Sequence, residues 1–342
     1  MKVTQDLIVD DSNLSESGLS LDGSLNVHLA PVSGPDTRRA LPRSLFAKRP
    51  GHFTIKFIFA MALVVAGWVM VALYPTVPVI ILGIIILGPL YAHLVELQHE
   101  CLHEHAYYKR WLNRLTGFMA GIFMLSSFSH YKYEHLRHHA YLGTPQNQEF
   151  FNYRFRDLDS PIGFLRGCFH LGRYLDVFKC IGISLAGRLN PTVTKTVAAK
   201  KIRTEYIAFG VIIAGAIAAS VASGSFLIFY AWIIPTLLLA EPTHFLIELP
   251  EHFGLNTQTD PNVLANTRTV AASRLAHWFT NGNNLHTAHH FHQGVPMVQI
   301  PELHKIIERR IETVDQSYLT FYKKVITGEL RYLDFAETCM TR

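Results

Sequence analysis

The chain has 342 residues and a formal charge of +5 at neutral pH; 49% of its residues are hydrophobic and only 17% are charged. Soluble domains carry about 25% charged residues, so this composition, with a mean hydropathy of +0.18, points to a membrane protein with a substantial polar part. The mild charge comes with no long basic run, which argues against a nucleic-acid partner, and Cys101, Cys168, Cys180 and Cys339 lack a C-x-x-C spacing, which argues against a disulfide framework.

Residues 1–50 are rich in Ser, Asp, Pro and Gly, and they end in a basic stretch containing Arg38, Arg39, Arg43, Lys48 and Arg49. They read as a disordered cytosolic tail, and no apolar core near the start marks a cleavable signal peptide. Phe53–Tyr74 and Val77–Leu97 follow, each about 20 residues and so long enough to cross a hydrocarbon core as a helix. Pro75-Thr76 is too short a link for anything but a helical hairpin. Tyr206–Ala222 and Phe226–Leu249 form a second pair, joined near Ser223-Gly224-Ser225.

Neither hairpin tip carries Lys or Arg, so the positive-inside rule places the tail, the middle region and the C-terminal region on the cytoplasmic side. Leu115–Phe128 is too short to span. Ile162–Leu185 is interrupted by Arg166, His170, Arg173, Asp176 and Lys179, and each charge at mid-bilayer costs about 2.5–3.5 kcal/mol. Both stretches read as helices lying along the interface. The expected fold is all-α: four transmembrane helices in two hairpins, a cytosolic helical cap and interfacial helices. The expected domains are the tail 1–50, a membrane domain 51–315 and a C-terminal cytosolic extension 316–342.

Three histidine clusters stand between these apolar segments: His99-Glu-Cys-Leu-His103, His135-Leu-Arg-His138-His139 and His286-Thr-Ala-His289-His290. On a helix, residues three and four apart share a face. Imidazole is the commonest metal ligand, and one ion takes about four ligands, so eight histidines in repeated register predict two ions. His252, near the cytoplasmic end of the fourth span, is the expected ninth ligand, ahead of His244. His28 and His52 read as solvated, and His93 as a packed polar group. His105, His130, His170, His277, His292 and His304 lack cluster spacing.

Nitrogen ligation suits iron, copper, zinc or nickel. Zinc has no redox chemistry, whereas two irons can share O2 and divide the electrons needed to cleave it, which would allow attack on the inert C–H bonds of a lipid chain. Two other readings compete. Cluster one is literally His-Glu-x-x-His, the pattern of zinc metalloproteases, but a protease leaves both H-x-x-H-H clusters unemployed. A metal transporter would place its ionisable groups near the bilayer midplane, and these clusters lie beyond the predicted span ends.

Residues 53–310 resemble the membrane fatty acid desaturase superfamily, whose members include acyl desaturases, hydroxylases and carotenoid-modifying oxygenases. The three clusters resemble its three histidine boxes, Asn284 stands two before His286 as is common there, and Glu251-His252 resembles a pair found between boxes two and three. Thr267-Arg268-Thr269, Val295-Pro296 and Ile300-Pro301-Glu302-Leu303-His304 also resemble family segments. The resemblance implies a non-haem di-iron centre, O2 as co-substrate and a membrane lipid or acyl substrate. It also implies electrons delivered one at a time by a separate donor of ferredoxin, rubredoxin or cytochrome b5 type with its reductase, since no haem-binding His-Pro-Gly-Gly segment is present. Desaturation of an acyl chain is the expected reaction; hydroxylation or ketone formation on an acyl lipid or carotenoid would use the same ligands. Glu100, Glu104, Glu134, Glu251, Asn283 and Asn284 are candidates to orient the ligands. Trp111, Trp278, Tyr107, Tyr108, Tyr131 and Tyr133 read as interfacial packing.

Overall fold

A computed structural model describes residues 41–332 apart from Asn152, Arg154, Arg156, Asp157 and Asp159. The expected tail up to residue 40, His28 and Cys339 lie outside the described residues. Arg43–Phe46 form a 3₁₀ turn, and Leu45 is buried there, so membrane-domain packing begins before residue 51.

The described chain is mostly helical, and four helical stretches are long and apolar enough to cross a membrane: Arg43–Leu73, Val77–Leu102, Thr196–Ser223 and Phe229–His252. The first contains α1 (Pro50–Leu73), opened by Pro50 at its first turn, where a missing N–H costs nothing. Its buried residues Phe53, Lys56, Ala60, Val64, Gly67 and Val71 recur at helical spacing, while Ile55, Ile58, Phe59, Val65 and Val69 point outward. An apolar outer face suits lipid as the surrounding solvent.

α2 (Val77–Leu102) packs against α1 through small residues. A Cβ built on Gly67 would meet Leu87, and one on Gly83 would meet Val71, a pairing that runs antiparallel. Close backbone approach at glycine is how apolar helices gain contact where no hydrophobic force drives them together. The lower part of α2 exposes Ile81, Leu82, Ile85 and Ile86; from Leu87 to Leu102 every residue but Pro89 is buried. α2 therefore leaves its lipid-facing zone and continues as the central post of a protein-enclosed region.

The fourth apolar stretch is not a uniform α-helix. Two wide π turns, Phe229–Ile233 and Thr236–Ala240, precede α8 (Glu241–His252). Side chains engage the groups around this widened backbone. The Tyr91 hydroxyl, itself accepting from Trp68 Nε1, donates to Ala231 O; Trp232 Nε1 and Thr236 Oγ1 both donate to Phe123 O at 2.8 and 3.0 Å. Gly88 of α2 lets this segment in: a Cβ there would lie 2.4 Å from Leu239 Cβ.

The expected interfacial stretch Ile162–Leu185 is two helices, α5 (Pro161–Cys168) and α6 (Gly172–Leu185). They expose Ile162, Leu165, Leu175 and Phe178 but bury Arg173, which forms an ion pair with Glu241 and donates to Met124 O at 2.8 Å. The short apolar stretch expected over Leu115–Phe128 becomes α3 (Arg110–Gly121), a turn, and the start of α4 (Phe128–Tyr141). α7 (Thr196–Ser223) packs on α4 and α6.

A parallel two-residue bridge joins β1 (Thr269–Val270) to β2 (Val314–Asp315), and α12 (Tyr318–Ile326) follows it. Arg268 fastens these pieces to the end of α8: Nε lies 3.0 Å from Asp315 Oδ2, and Nη1 donates to Pro250 O at 2.5 Å. Phe321, inside the segment expected to be an extension, is fully buried in the main core.

Candidate metal centre

Four segments deliver the expected ligands. α2 carries His99, and His103 caps its C-terminus. α4, capped by Ser127, whose hydroxyl accepts from His130 N, carries His135, His138 and His139. His252 is the last residue of α8. A 3₁₀ turn, Asn283–Leu285, leads into α10 (His286–Phe291), which presents His286, His289 and His290.

All nine rings converge. His99, His103, His135 and His289 place their ligand nitrogens within 4.8 Å of one another, as do His138, His252, His286 and His290. His139 joins the first set, its Nε2 lying 3.0 Å from both His135 Nε2 and His289 Nε2. His135 Nε2 also stands 2.8 Å from His99 Nε2 and 2.9 Å from His103 Nε2. A neutral ring nitrogen carries one proton or one lone pair, so it cannot hydrogen-bond three other nitrogens at once. Two nitrogens at right angles about one ion, each about 2.1 Å from it, are about 3.0 Å apart. The spacing suits lone pairs aimed at a shared cation, five in one set and four in the other.

The rear nitrogens support the same orientation. His138 Nδ1 donates to Asn147 Oδ1 at 2.8 Å, His252 Nδ1 to Asn266 O at 3.0 Å, and His286 Nδ1 to Asn283 Oδ1 at 3.0 Å. Asn283 Nδ2 in turn donates to Glu251 Oε1 at 2.5 Å, which turns the amide oxygen toward His286. A proton held on Nδ1 leaves Nε2 free to ligate. Burial first, and then neighbouring imidazoles, hold His103, His135, His139, His286, His289 and His290 well below the usual histidine range, so these rings are neutral.

Of the acidic candidates, Glu251 reaches the second set, its Oε2 3.3 Å from His286 Nε2. Glu100 Oε2 accepts instead from Asn281 Nδ2 at 2.9 Å, and Asn281 Oδ1 accepts from the buried Lys56 Nζ at 2.8 Å. Glu104 pairs with Lys132 and Arg110 at the rim, and Glu134 with Arg137 and His130. Asn284 binds His277 Nδ1 and Val270 O rather than a cluster ring. Glu149 escaped the sequence reading. Its Oε1 lies 3.7 Å from His138 Nδ1 and 3.7 Å from His252 Nε2. Ten residues past His139 in a loop, it had no periodic signal to reveal it. A polar cavity borders both sets and is walled by Tyr131, Phe150, Phe151, Glu149, Glu248 and Glu251.

Among the described residues the other histidines lie outside the two sets, although the His105 ring stacks on His103 with centroids 5.4 Å apart. His244 faces Tyr153 and Glu248. His93 stacks on Trp278 and meets Phe279 O, His130 bonds Tyr206 Oη, and His292 packs edge-on to Phe46. His52 is exposed. Among the described residues, His99 and His103 share their set with His135, His139 and His289, and the Glu100 carboxylate is held by Asn281.

A family model described as fatty acid desaturase matches residues 75–322. No curated protein compared with the chain matches it.

Proposed function

Because the chain belongs to the fatty acid desaturase family, we propose that it catalyses the O2-dependent desaturation of a fatty acyl chain at a membrane surface. The convergence of nine imidazole nitrogens into a set of five and a set of four supports this reading above all. His99, His103, His135, His139 and His289 would hold one iron ion, and His138, His252, His286 and His290 the other. Once bound, the two ions would supply the redox chemistry that reduces O2 and removes hydrogen from a methylene group.

The protein's own groups do the positioning. Asn147, Asn283 and the Asn266 carbonyl keep three rings in the ligating tautomer. Tyr131, Phe150 and Phe151 set aromatic rings beside the small polar cavity that borders both histidine sets. The outward apolar faces of α1 and α2 keep the molecule in the bilayer that supplies the lipid. The distribution of Lys and Arg favours a cytoplasmic centre with both termini on that side, where a separate small redox protein and its reductase can deliver electrons.

The test is full-length protein in membranes of an expression host, supplied with reductant and O2, with acyl products read by mass spectrometry. New double bonds that appear only with O2 and reductant, and about two irons per chain, are the expected result. Oxygenated product alone would replace desaturation with hydroxylation, and active protein free of iron would end the reading.

A further inference from the structure

Span four carries an inward-facing line of ionisable side chains: Glu241, His244, Glu248 and His252, spaced at helical intervals and all buried. Glu241 is matched by Arg173, and His252 belongs to the second histidine set. That leaves His244 and Glu248, in a region where ionisable groups are costly to keep.

Three carboxylates reach the cavity wall, and two are engaged with the cluster imidazoles. Glu251 is bound by Asn283 and faces His286; Glu149 faces His138 and His252. Glu248 differs. It is 93% buried, lines the cavity, and its Oε2 has no hydrogen-bond partner among the described residues. Its Oε1 lies 3.4 Å from His244 Nε2, and Glu96 Oε1 is 3.9 Å from the same nitrogen. On the far side of that ring, Tyr153 Oη lies 3.0 Å from His244 Nδ1. A tyrosine proton donated to Nδ1 puts the imidazole proton on Nε2, facing Glu248.

Desaturation, on the reading above, needs protons in this cavity: R–CH2–CH2–R′ + O2 + 2e⁻ + 2H⁺ → R–CH=CH–R′ + 2H2O. The substrate supplies two electrons with its two hydrogens, and the redox partner supplies the other two electrons. The two protons come through the protein. We propose that Glu248 is the proton donor of this cavity and that His244 reloads it. In each delivery the Glu248 O–H bond breaks and its proton joins an oxygen atom derived from O2; the His244 Nε2 proton moves to the carboxylate as Tyr153 passes its hydroxyl proton to Nδ1 and regains one from solvent, so that neither the imidazole nor the phenol is left charged. This inference rests on the proposed function.

Glu248→Gln keeps the size and the hydrogen-bonding capacity but has no transferable proton. In host membranes with reductant, the host's own acyl lipids serve as the probe. Alkene formation should fall about a hundredfold, within the range for loss of a general acid. Metal content should match wild type, and the O2 still consumed should appear as hydrogen peroxide. Glu248→Asp should recover part of the rate, and His244→Asn should lower kcat with KM unchanged. A Glu248→Gln protein that forms alkene at the wild-type ratio to O2 overturns the assignment. So does one that loses metal, because Glu248 would then be a ligand or a packing group. Wild type that makes no alkene would instead remove the proposed function.

Discussion

His139 Nε2 lies 3.0 Å from His289 Nε2, although 150 residues separate them. Neither ring can reach the other until α4 and α10 are packed around α2. A metal ion held by these rings would therefore stabilise the packed chain, since the ligand set does not exist in the unfolded one.

Removing one ring should be read first in metal content. His289→Ala takes a nitrogen from the five-membered set, and His252→Ala one from the four-membered set. Both proteins should remain in the membrane, because the apolar spans do not depend on these ligands. Iron should fall toward roughly one ion per chain, the undamaged set keeping its own ligands, and lipid oxidation should cease. His292→Ala should keep both ions. Elemental analysis of purified protein checks this, and a His252→Ala protein with full iron and full activity would remove His252 from the ligand set.

Glu100→Gln separates the oxidative reading from the protease reading. In a metalloprotease this residue activates water; here its carboxylate meets Asn281, which also holds Lys56. The variant should keep its iron and its lipid oxidation, with some loss of thermal stability as one charge-assisted hydrogen bond, worth about 1.5–3 kcal/mol, weakens. Peptide cleavage by wild type that vanishes in the variant would reverse the assignment.

Gly88→Ala should be costly far from the histidines. Its Cβ would lie 2.4 Å from Leu239 Cβ and 2.9 Å from the carbonyl oxygen of Pro235, and that backbone has no flexible end to yield. Overpacking of this kind costs about 1–3 kcal/mol. Gly215→Ala, with nothing within 4 Å of the added carbon, serves as the neutral control. Melting temperatures in detergent should drop for the first and hold for the second.

Acid should weaken the metal-free protein in a defined direction. Burial pushes His103, His135, His139, His286, His289 and His290 well below their ordinary range; it also takes His130 down to about 4. Unfolded, these rings titrate near about 6.5. Below that value the unfolded chain binds more protons than the folded one, so the stability present above about pH 6.5 is lost as pH falls toward the folded values. Thermal melts of metal-depleted protein at pH 7.5, 6.5 and 5.5 should show a falling midpoint. A flat profile would mean that the rings are already solvated.

Much of the centre was legible because helical spacing is local. The i, i+3, i+4 pattern of His135, His138 and His139 determines a shared face before anything packs. The choice of His252 over His244 followed from depth along one span, and the structure seats His252 with His138, His286 and His290 while His244 turns to Glu248. Local signals could not reveal Asn147 or Glu149, which sit in the loop after α4 and reach the rings only through the path of that loop. Nor could they reveal the break of Ile162–Leu185 into two helices, where Arg173 turns inward to meet Glu241 some 68 residues away.

The amino-acid order by itself determined the apolar spans and the histidine faces. Each depends on contacts within a few turns of one helix or on solvent preference summed along it. Tertiary packing alone decided how nine imidazoles divide into five and four, which carboxylates face them, and that Glu248 keeps a buried oxygen with no hydrogen-bond partner among the described residues. Those outcomes turn on side chains from α2, α4, α8 and α10 meeting within a few ångströms, and no periodicity along the chain encodes that meeting.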